Sequence, residues 1–184
     1  GEYIEPTFYT KVEDGNGKVI LEAEQETKRV MSEANAYILS SILKSPVTGT
    51  NGTAYLCNIS GMDVAAKTGT TNEMKDRWLC GFTPYYAAAT WFGYDLPETI
   101  YISSMSNPAM NIWSAIMKDI HEDLDSAKFE KPNNIVKAKI CLDSGKAATD
   151  ECTHTYTEEF VSGTVPGKCD GHKTVEICAE TGKL

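Results

Sequence analysis

The amino-acid sequence predicts an α/β fold of the α+β type, in which helices pack on an antiparallel sheet and a small cysteine-rich β tail follows. Three observations indicate this class. Apolar and aromatic segments at 62–66, 78–82 and 86–94 are typical of neighbouring strands. Segments 32–44 and 107–124 carry apolar residues at helical spacing. From about Lys131 the composition shifts, and four of the six cysteines fall in the last 44 residues.

Length and charge limit the functions to be considered. A chain of 184 residues is long enough for one sizeable core and a small appendage. Its formal net charge of −9 argues against a nucleic-acid partner, because phosphate contacts need a basic surface. No apolar run approaches the length of a membrane-spanning helix.

A hairpin is predicted at residues 8–22. Asp14-Gly15-Asn16-Gly17 lies there between two β-rich arms, which is a strong turn signal. A helix follows from Ser32, the expected N-cap, to about Lys44. Its apolar residues have the spacing of a single buried stripe: Ile38, Leu39, Ile42 and Leu43.

The central segment carries the chemistry. The apolar strand 62–66 is expected to end directly in Lys67-Thr68-Gly69-Thr70, a polar loop follows at 71–77, and Thr83-Pro84 turns the next two strands into a hairpin. A cation, two hydroxyls on one face and a glycine that admits a ligand make an edge suited to an anion.

Two other interpretations compete for this motif. The bare tetrapeptide is also typical of an ordinary strand end. Residues 61–68 differ by one residue from a phosphate-binding loop, but Ala66 stands where that pattern needs glycine, and the residues after Lys67 are poor helix formers.

The second helix is predicted from Asn107, a good cap, and Pro108, which suits a first helical position. It is expected to pack on the sheet through one apolar stripe, which consists of Trp113, Ile116, Met117, Ile120 and Leu124. A short strand is predicted at residues 135–141.

Four segments together closely resemble the third active-site motif of penicillin-binding proteins, and their flanks are most similar to the transpeptidase domain of the bifunctional (class A) enzymes. The segments are residues 63–71, 75–78, 81–84 and 91–95. The similarity is strong over residues 31–124. Beyond it, residues 140–146, 148–149 and 163–166 resemble the tail of class A enzymes from Gram-positive bacteria. The resemblance implies a partial serine β-lactamase/DD-transpeptidase-like fold, with residues 1–128 the C-terminal portion of the transpeptidase domain and 129–184 the tail module.

By this resemblance the site residues are Lys67, Thr68, Gly69, Thr70 and Thr71. The implied reaction is peptidoglycan cross-linking through a serine acyl-enzyme, with D-Ala-D-Ala stem peptides and β-lactam antibiotics as ligands. Lys67 and Thr70 would be catalytic, the lysine through its charge and proton transfer and the threonine through an oxyanion-binding N–H. Thr68, Gly69 and Thr70 would receive the substrate, and Thr71 would assist or simply end the strand. No cofactor and no metal are expected at this site.

The nucleophile of the family is not found in this sequence. Ser41-Ile42-Leu43-Lys44 has the Ser-x-x-Lys form, but Ser41 is far from a helix N-terminus and no Ser-x-Asn follows before Lys67. The chain, which starts at Gly1, is therefore expected to be a C-terminal piece of a surface enzyme. The N-terminal remainder would carry the nucleophile and the membrane anchor, outside the cytoplasm. The alternative is a non-catalytic scaffold or sensor module.

Two interpretations remain for the cysteines of the tail, Cys141, Cys152, Cys169 and Cys178. In an extracytoplasmic module of this size they suggest disulfides, whose pairing the sequence does not fix. A zinc site with His154 or His172 is the rival, weakened by the lack of a C-x-x-C pair. Cys57 and Cys80, which flank the motif strand, either pair or remain free thiols.

Overall fold

The computed structural model describes residues 1–102, 107–173 and 180–181. Within these ranges its strands form one three-stranded sheet and three two-stranded ribbons, all antiparallel. The α+β class is confirmed. In chain order the elements are β1 (Glu2–Ile4), β2 (Lys11–Glu13), β3 (Val19–Glu22), β4 (Thr27–Arg29), α1 (Glu33–Thr48), β5 (Ala65–Thr70), β6 (Asp76–Phe82), β7 (Ala87–Gly93), α2 (Pro108–Ile120), β8 (Ile135–Cys141) and β9 (Thr155–Val161).

The N-terminal ribbons are exposed. The predicted hairpin is confirmed as β2 and β3, and the Asp14 carboxylate holds its turn by accepting the N–H groups of Asn16 and Lys18. Gly17, with φ of +81°, takes the left-handed conformation that glycine adopts without steric cost. Outside this hairpin β1 pairs with β4, which the sequence analysis did not predict.

Helix α1 begins where the sequence predicts. The Ser32 hydroxyl oxygen accepts the N–H of Asn35 and so satisfies one of the free donors of the first turn. The helix continues past the predicted end at Lys44 and through Pro46. Proline cannot donate to the Ile42 carbonyl one turn earlier, and the Ser45 hydroxyl donates to that carbonyl instead, at 2.8 Å.

Replacing the cap tests its contribution. We expect Ser32→Ala to lower the free energy of unfolding by about 1 kcal/mol, because one N–H of the first turn loses its acceptor. Ser32→Asp, which keeps an acceptor oxygen, should remain close to wild type. Urea denaturation followed by circular dichroism measures both. A loss of equal size in the aspartate variant would show that the cap bond is not the cause.

The buried stripe predicted for α1 is partly wrong. Leu39 and Ile42 are 48% and 58% exposed. The buried residues of the helix are Ala34 and Val47, near its two ends. The pattern identified the helix, but the tertiary contacts of α1 select a different face from the one with the largest apolar residues.

The central sheet has the order β5-β6-β7. The predicted strand 62–66 is misplaced, because β5 begins at Ala65 and contains the whole Lys67–Thr70 motif. Strand β6 likewise starts at Asp76, inside the predicted loop. Each residue of the motif pairs with a residue of β6, and these pairs extend the strand beyond its apolar part.

The turn between β6 and β7 is confirmed. The buried Thr83 hydroxyl oxygen accepts the N–H groups of Tyr85 and Tyr86. The same hydroxyl lies 2.9 Å from Nε2 of His121, whose Nδ1 lies 2.6 Å from the Met117 carbonyl oxygen. The turn is therefore hydrogen-bonded to the C-terminal end of α2.

Helix α2 packs on the sheet, and the predicted stripe is right for Trp113 and Met117 but wrong for its other three residues. Asn107 caps it as expected by accepting the N–H of Ala109. Ile116 and Ile120 are 53% and 44% exposed, and Leu124 lies beyond the helix. The buried face is formed by Ala109, Met110, Trp113, Ser114 and Met117. Apolar residues occupy both faces of the helix, and the face that carries Trp113 packs over Gly81 of β6.

The core lies between α2 and the sheet. Trp113, Met110 and Met117 are at most 2% exposed and pack with Leu79 of β6 and the start of β5. The Trp113 indole donates to the Ala88 carbonyl at 3.0 Å. A Cβ added at Gly81 would lie 2.8 Å from the Trp113 ring, so the glycine makes room for the indole.

The tail consists of β8, which has the predicted bounds, paired with β9, which was not predicted. It contacts the rest of the fold through α1, at Tyr37, and through β6, at Phe82. The Glu159 carboxylate accepts from Lys131 at 2.7 Å and hydrogen-bonds Tyr37. Burial and this carboxylate raise the pKa of Tyr37 to about 12. Phe129, at the start of the tail, packs on Phe82 of β6 with ring centroids 5.4 Å apart.

All five described cysteines are free thiols in this structure, and Cys178 lies outside the described residues. Cys57 is buried, which raises the pKa of its thiol to about 12, and Cys80 is exposed. These two are therefore free thiols and not a disulfide. No helix in the described ranges combines the length and apolar character needed to cross a membrane.

Candidate functional site

The Lys67–Thr70 motif lies on an open edge of the sheet. Strand β5 pairs with β6 on one side, and no other described strand pairs with its second side. Lys67 and Thr70 are exposed, whereas Thr68 and Gly69 are half-buried. The motif is therefore accessible to a ligand along the edge.

The backbone of this edge offers hydrogen-bonding groups to a ligand. Beyond the end of β5, the Thr71 N–H donates to the Asp76 carbonyl of β6. Alternate residues of an antiparallel strand face the same side, so Gly69 and Lys67 also bond β6 while the N–H and C=O groups of Thr68 and Thr70 point outward. The Lys67 ammonium, which donates to the Thr68 carbonyl at 2.9 Å, lies on this outer side.

The side chains alternate in the same way. Gly69 is paired with Trp78, and a Cβ at position 69 would lie 3.1 Å from the Trp78 Cβ. A larger residue would therefore crowd Trp78. On the opposite face Thr68 donates to the Thr53 hydroxyl at 3.3 Å, and the Thr70 hydroxyl accepts from Arg77 at 3.2 Å. Both motif hydroxyls thus have protein partners that hold them in place.

Thr53 and Arg77 are site residues that the sequence analysis did not assign. Arg77 brings a second cation beside Thr70, and its Nε is buried and has no hydrogen-bond partner among the described residues. Thr53 lies in the glycine-rich loop that precedes the motif strand. Arg77 could have been identified from its pairing with Thr70 across the two strands. The sequence analysis assigned residue 77 to a loop and therefore did not predict that pairing.

Thr71 is placed differently from the other motif residues. It lies after β5, where its hydroxyl donates to the Asp76 carboxylate and accepts the Asp76 N–H, both at 2.9 Å. Asp76 also accepts from the Trp91 indole at 2.9 Å. Through these hydrogen bonds Thr71 stabilises the loop that follows the motif. In that loop Glu73 and Met74 have φ of 60° and 58°, a conformation uncommon for residues other than glycine.

A cavity of about 470 Å³ adjoins the edge on one face of the sheet. Lys67 and Leu43 are among its lining residues, and most of the others are alanines of β5 and β7. The cavity is apolar, and among the described residues that line it Lys67 alone is charged. The lysine therefore lies between an apolar surface and the open edge.

Ser41 and Lys44 form no nucleophile in this structure. Ser41 lies in the middle of α1, which extends to Thr48, and not near its C-terminal end as predicted. It is still far from the positive first turn of the helix. The Lys44 ammonium is paired with the Asp63 carboxylate at 2.8 Å and so stabilises the approach to β5.

The family model for the penicillin binding protein transpeptidase domain matches residues 1–118, and the model for the penicillin-binding protein 1A C-terminal domain matches residues 131–173. The first of these matches covers more than half of the chain.

Relatives and a solved structure agree with the family models. Penicillin-binding protein 1A of Clostridium botulinum (strain Hall) is 39% identical over all of this chain, and that of Clostridium tetani is 39% identical over 94% of it. In both cases the chain spans 23% of the relative. The crystal structure of penicillin-binding protein 1A from Haemophilus influenzae superposes with a TM-score of 0.70 and 25% identity, over 89% of this chain and 30% of that one. The chain therefore belongs to the penicillin-binding protein transpeptidase family.

Proposed function

We propose that this chain supplies the substrate-binding edge of a serine D,D-transpeptidase that cross-links peptidoglycan. Its substrate would be a stem peptide ending in D-Ala-D-Ala, and β-lactams would react as analogues of that end. The observation that carries the proposal is the open β5 edge, where an ammonium group and outward backbone groups occur together.

Each motif residue has a role in this proposal. The terminal carboxylate would bind to Lys67 and the hydroxyls of Thr68 and Thr70. The outward N–H of Thr70 would stabilise the oxyanion that forms on the reacting carbonyl. Gly69 leaves the edge clear, so that the peptide can lie along β5. Thr71 would act indirectly, by holding the loop after the motif through Asp76.

The reaction itself needs a serine. Its oxygen would add to the carbonyl carbon of the penultimate D-alanine, and the last D-alanine would leave as an amine carrying the proton. An amine of a second peptide would then attack the ester and release the serine. With a β-lactam, the amide bond of the ring opens and the acyl-enzyme persists.

We place that serine outside residues 1–184. Lys44 of the only Ser-x-x-Lys sequence is paired with Asp63, and no Ser-x-Asn occurs in the sequence. The partner would be the N-terminal remainder of the same protein, which would also provide a membrane anchor on the outer side of the cytoplasmic membrane.

Residues 1–128 would belong to the transpeptidase domain and 129–184 to a separate tail. Two features support a further packing partner for the chain. They are the apolar cavity beside Lys67 and the exposed side chains of Leu39 and Ile42 on α1.

A fluorescent penicillin tests the proposal. We expect the protein at its natural length to be labelled covalently, with the label on a peptide outside residues 1–184, whereas the 184-residue chain alone stays unlabelled. Ser41→Ala should leave labelling of the long protein unchanged. Peptide mass spectrometry locates the label.

Two results would contradict this scheme. A label on Ser41 would place the nucleophile within the chain. A folded protein of natural length that takes no label would favour the non-catalytic scaffold or sensor.

A further inference from the structure

Four side chains of the tail converge although they come from separate parts of the chain. They are Cys141 at the end of β8, Cys152 in the loop before β9, and Cys169 and His172 after β9. Their ligating atoms all lie within 4.8 Å of one another, and Cys141 Sγ is 3.2 Å from His172 Nε2. We propose that this Cys3His cluster binds one Zn²⁺ ion that holds the tail together.

The spacing of the ligating atoms suits zinc. In a tetrahedral site with Zn–S of about 2.3 Å and Zn–N of about 2.0 Å, neighbouring ligand atoms are about 3.5 to 3.8 Å apart. The cluster is close to that size, so side-chain adjustments of about 1 Å suffice to close it around an ion. Three thiolates and one imidazole are a regular ligand set of structural zinc sites.

The surroundings of the cluster supply what thiolate ligands need. The Ser144 hydroxyl donates to Cys169 Sγ at 3.1 Å, and the Thr149 N–H donates to Cys152 Sγ at 3.4 Å. Such donors stabilise the negative charge of bound thiolates and orient them. Asp143 lies at the exposed side, with its carboxylate 3.4 Å from His172 Nε2.

The backbone also fixes the ligands in place. Gly145 donates to the Cys141 carbonyl and takes φ of +70°, so the chain turns back directly after β8. After this turn Ala147 bonds Gly167 through its N–H and Cys169 through its carbonyl. The segment that carries Cys169 is thereby joined to the turn after Cys141 before any ion binds.

In the part of the tail that the structure describes, few other groups provide stability. In residues 131–173, all of which the structure describes, the buried apolar residues are Ile135, Cys141 and Cys169, and the two cysteines are ligands. A module with so small a core usually depends on disulfides or a metal. Among the described cysteines, a disulfide would join two of the three sulfurs, and no disulfide would use His172. Zinc uses all four groups that the fold brings together.

The absence of a C-x-x-C pair weakens a zinc site as a prediction from the sequence. The equivalent pair here is Cys169-Asp170-Gly171-His172, in which histidine replaces the second cysteine at the same spacing. Of the two histidines considered there, His172 is in the cluster. His154, with a side chain that is 72% exposed, is not part of it.

The test uses the 184-residue chain, purified under reducing conditions. We expect elemental analysis to find one zinc per chain. After zinc is exchanged for Co²⁺, the spectrum should show thiolate charge-transfer bands and the intense d–d bands of a tetrahedral site. Cys169→Ser and His172→Gln should lose the 1:1 complex or its tetrahedral spectrum. Matched variants outside the cluster, Cys80→Ser and His154→Gln, should keep both.

A second measurement uses the wild-type chain, so it does not require any variant to fold. A chelator added to the wild-type chain after thiol modification should release zinc, and the melting temperature of the chain should fall. The proposal would be overturned if elemental analysis finds no bound metal and the Co²⁺-treated chain shows no tetrahedral spectrum. A thiol count showing that Cys141, Cys152 and Cys169 include a disulfide in the folded chain would also overturn it. These readouts are independent of penicillin labelling, so the zinc site and the proposed function fail separately.

Discussion

Lys67→Ala in the protein at its natural length is expected to slow acylation by a fluorescent penicillin by about 100- to 1000-fold. The variant removes the charge at the open edge of β5, where the ligand's carboxylate would bind, and a fixed polar group in such a site typically contributes a factor of this size. The second-order rate constant of labelling measures the loss. The melting temperature should stay the same, because Lys67 is exposed and its ammonium contacts only the Thr68 carbonyl among the described groups.

Lys28→Ala is the matched control for this variant. Lys28 is also an exposed strand lysine, but it lies on β4, in the N-terminal ribbon and not in the central sheet. Its loss changes the net charge equally and should leave the rate within about twofold, since an exposed charge contributes little at a distance. If both variants lose the same factor, the overall charge and not the position of Lys67 governs the reaction.

Local signals in the sequence predicted the parts of the fold that they specify directly. Asp14 and Gly17 fix a turn, Ser32 and Asn107 cap helices, and β8 has the predicted bounds. In the turn and the two caps the hydrogen bonds join residues close in sequence, and β8 coincides with a run of alternating residue types. Such features do not depend on the rest of the fold.

The errors have a common physical cause. The end of β5 was set at Ala66 because the apolar run stops there, but the strand continues for as long as β6 offers backbone partners, to Thr70. Similarly, Trp113 and Met117 fit two helical stripes, and packing against Gly81 selected one of them. Pairing and packing over long distances in sequence are invisible to a local pattern.

The candidate site also combines residues that the sequence predicts with residues that only long-range contacts identify. Its central residues, Lys67 to Thr70, follow from the motif and its resemblance, whereas Arg77 and Thr53 enter through cross-strand and loop contacts. The Cys3His cluster was still harder to foresee. Its residues are spread over 32 positions, from 141 to 172, and only the pairing of β8 with β9 and the turns around it bring them together.

The largest loss of stability is expected from Trp113→Ala. The indole is 1% exposed, fills the space over Gly81 and donates to the Ala88 carbonyl. Truncation removes a large apolar contact, leaves a cavity between α2 and the sheet, and strips a carbonyl of its partner. We expect the free energy of unfolding to fall by about 3 to 5 kcal/mol. Urea denaturation of the 184-residue chain, followed by circular dichroism, measures the change without relying on tryptophan fluorescence.

Ile116→Ala provides the control within the same helix. Ile116 belonged to the stripe predicted from the sequence, yet it is 53% exposed on the face of α2 away from the core. Its truncation removes little buried surface and should cost less than about 1 kcal/mol, because surface substitutions leave no cavity. A cost for Ile116→Ala as large as that for Trp113→Ala would mean that Ile116 is buried together with Trp113, as the sequence stripe had it. Helix α2 would then be rotated relative to the sheet, and Trp113 would not be centred over Gly81 of β6, the strand that pairs with the motif strand.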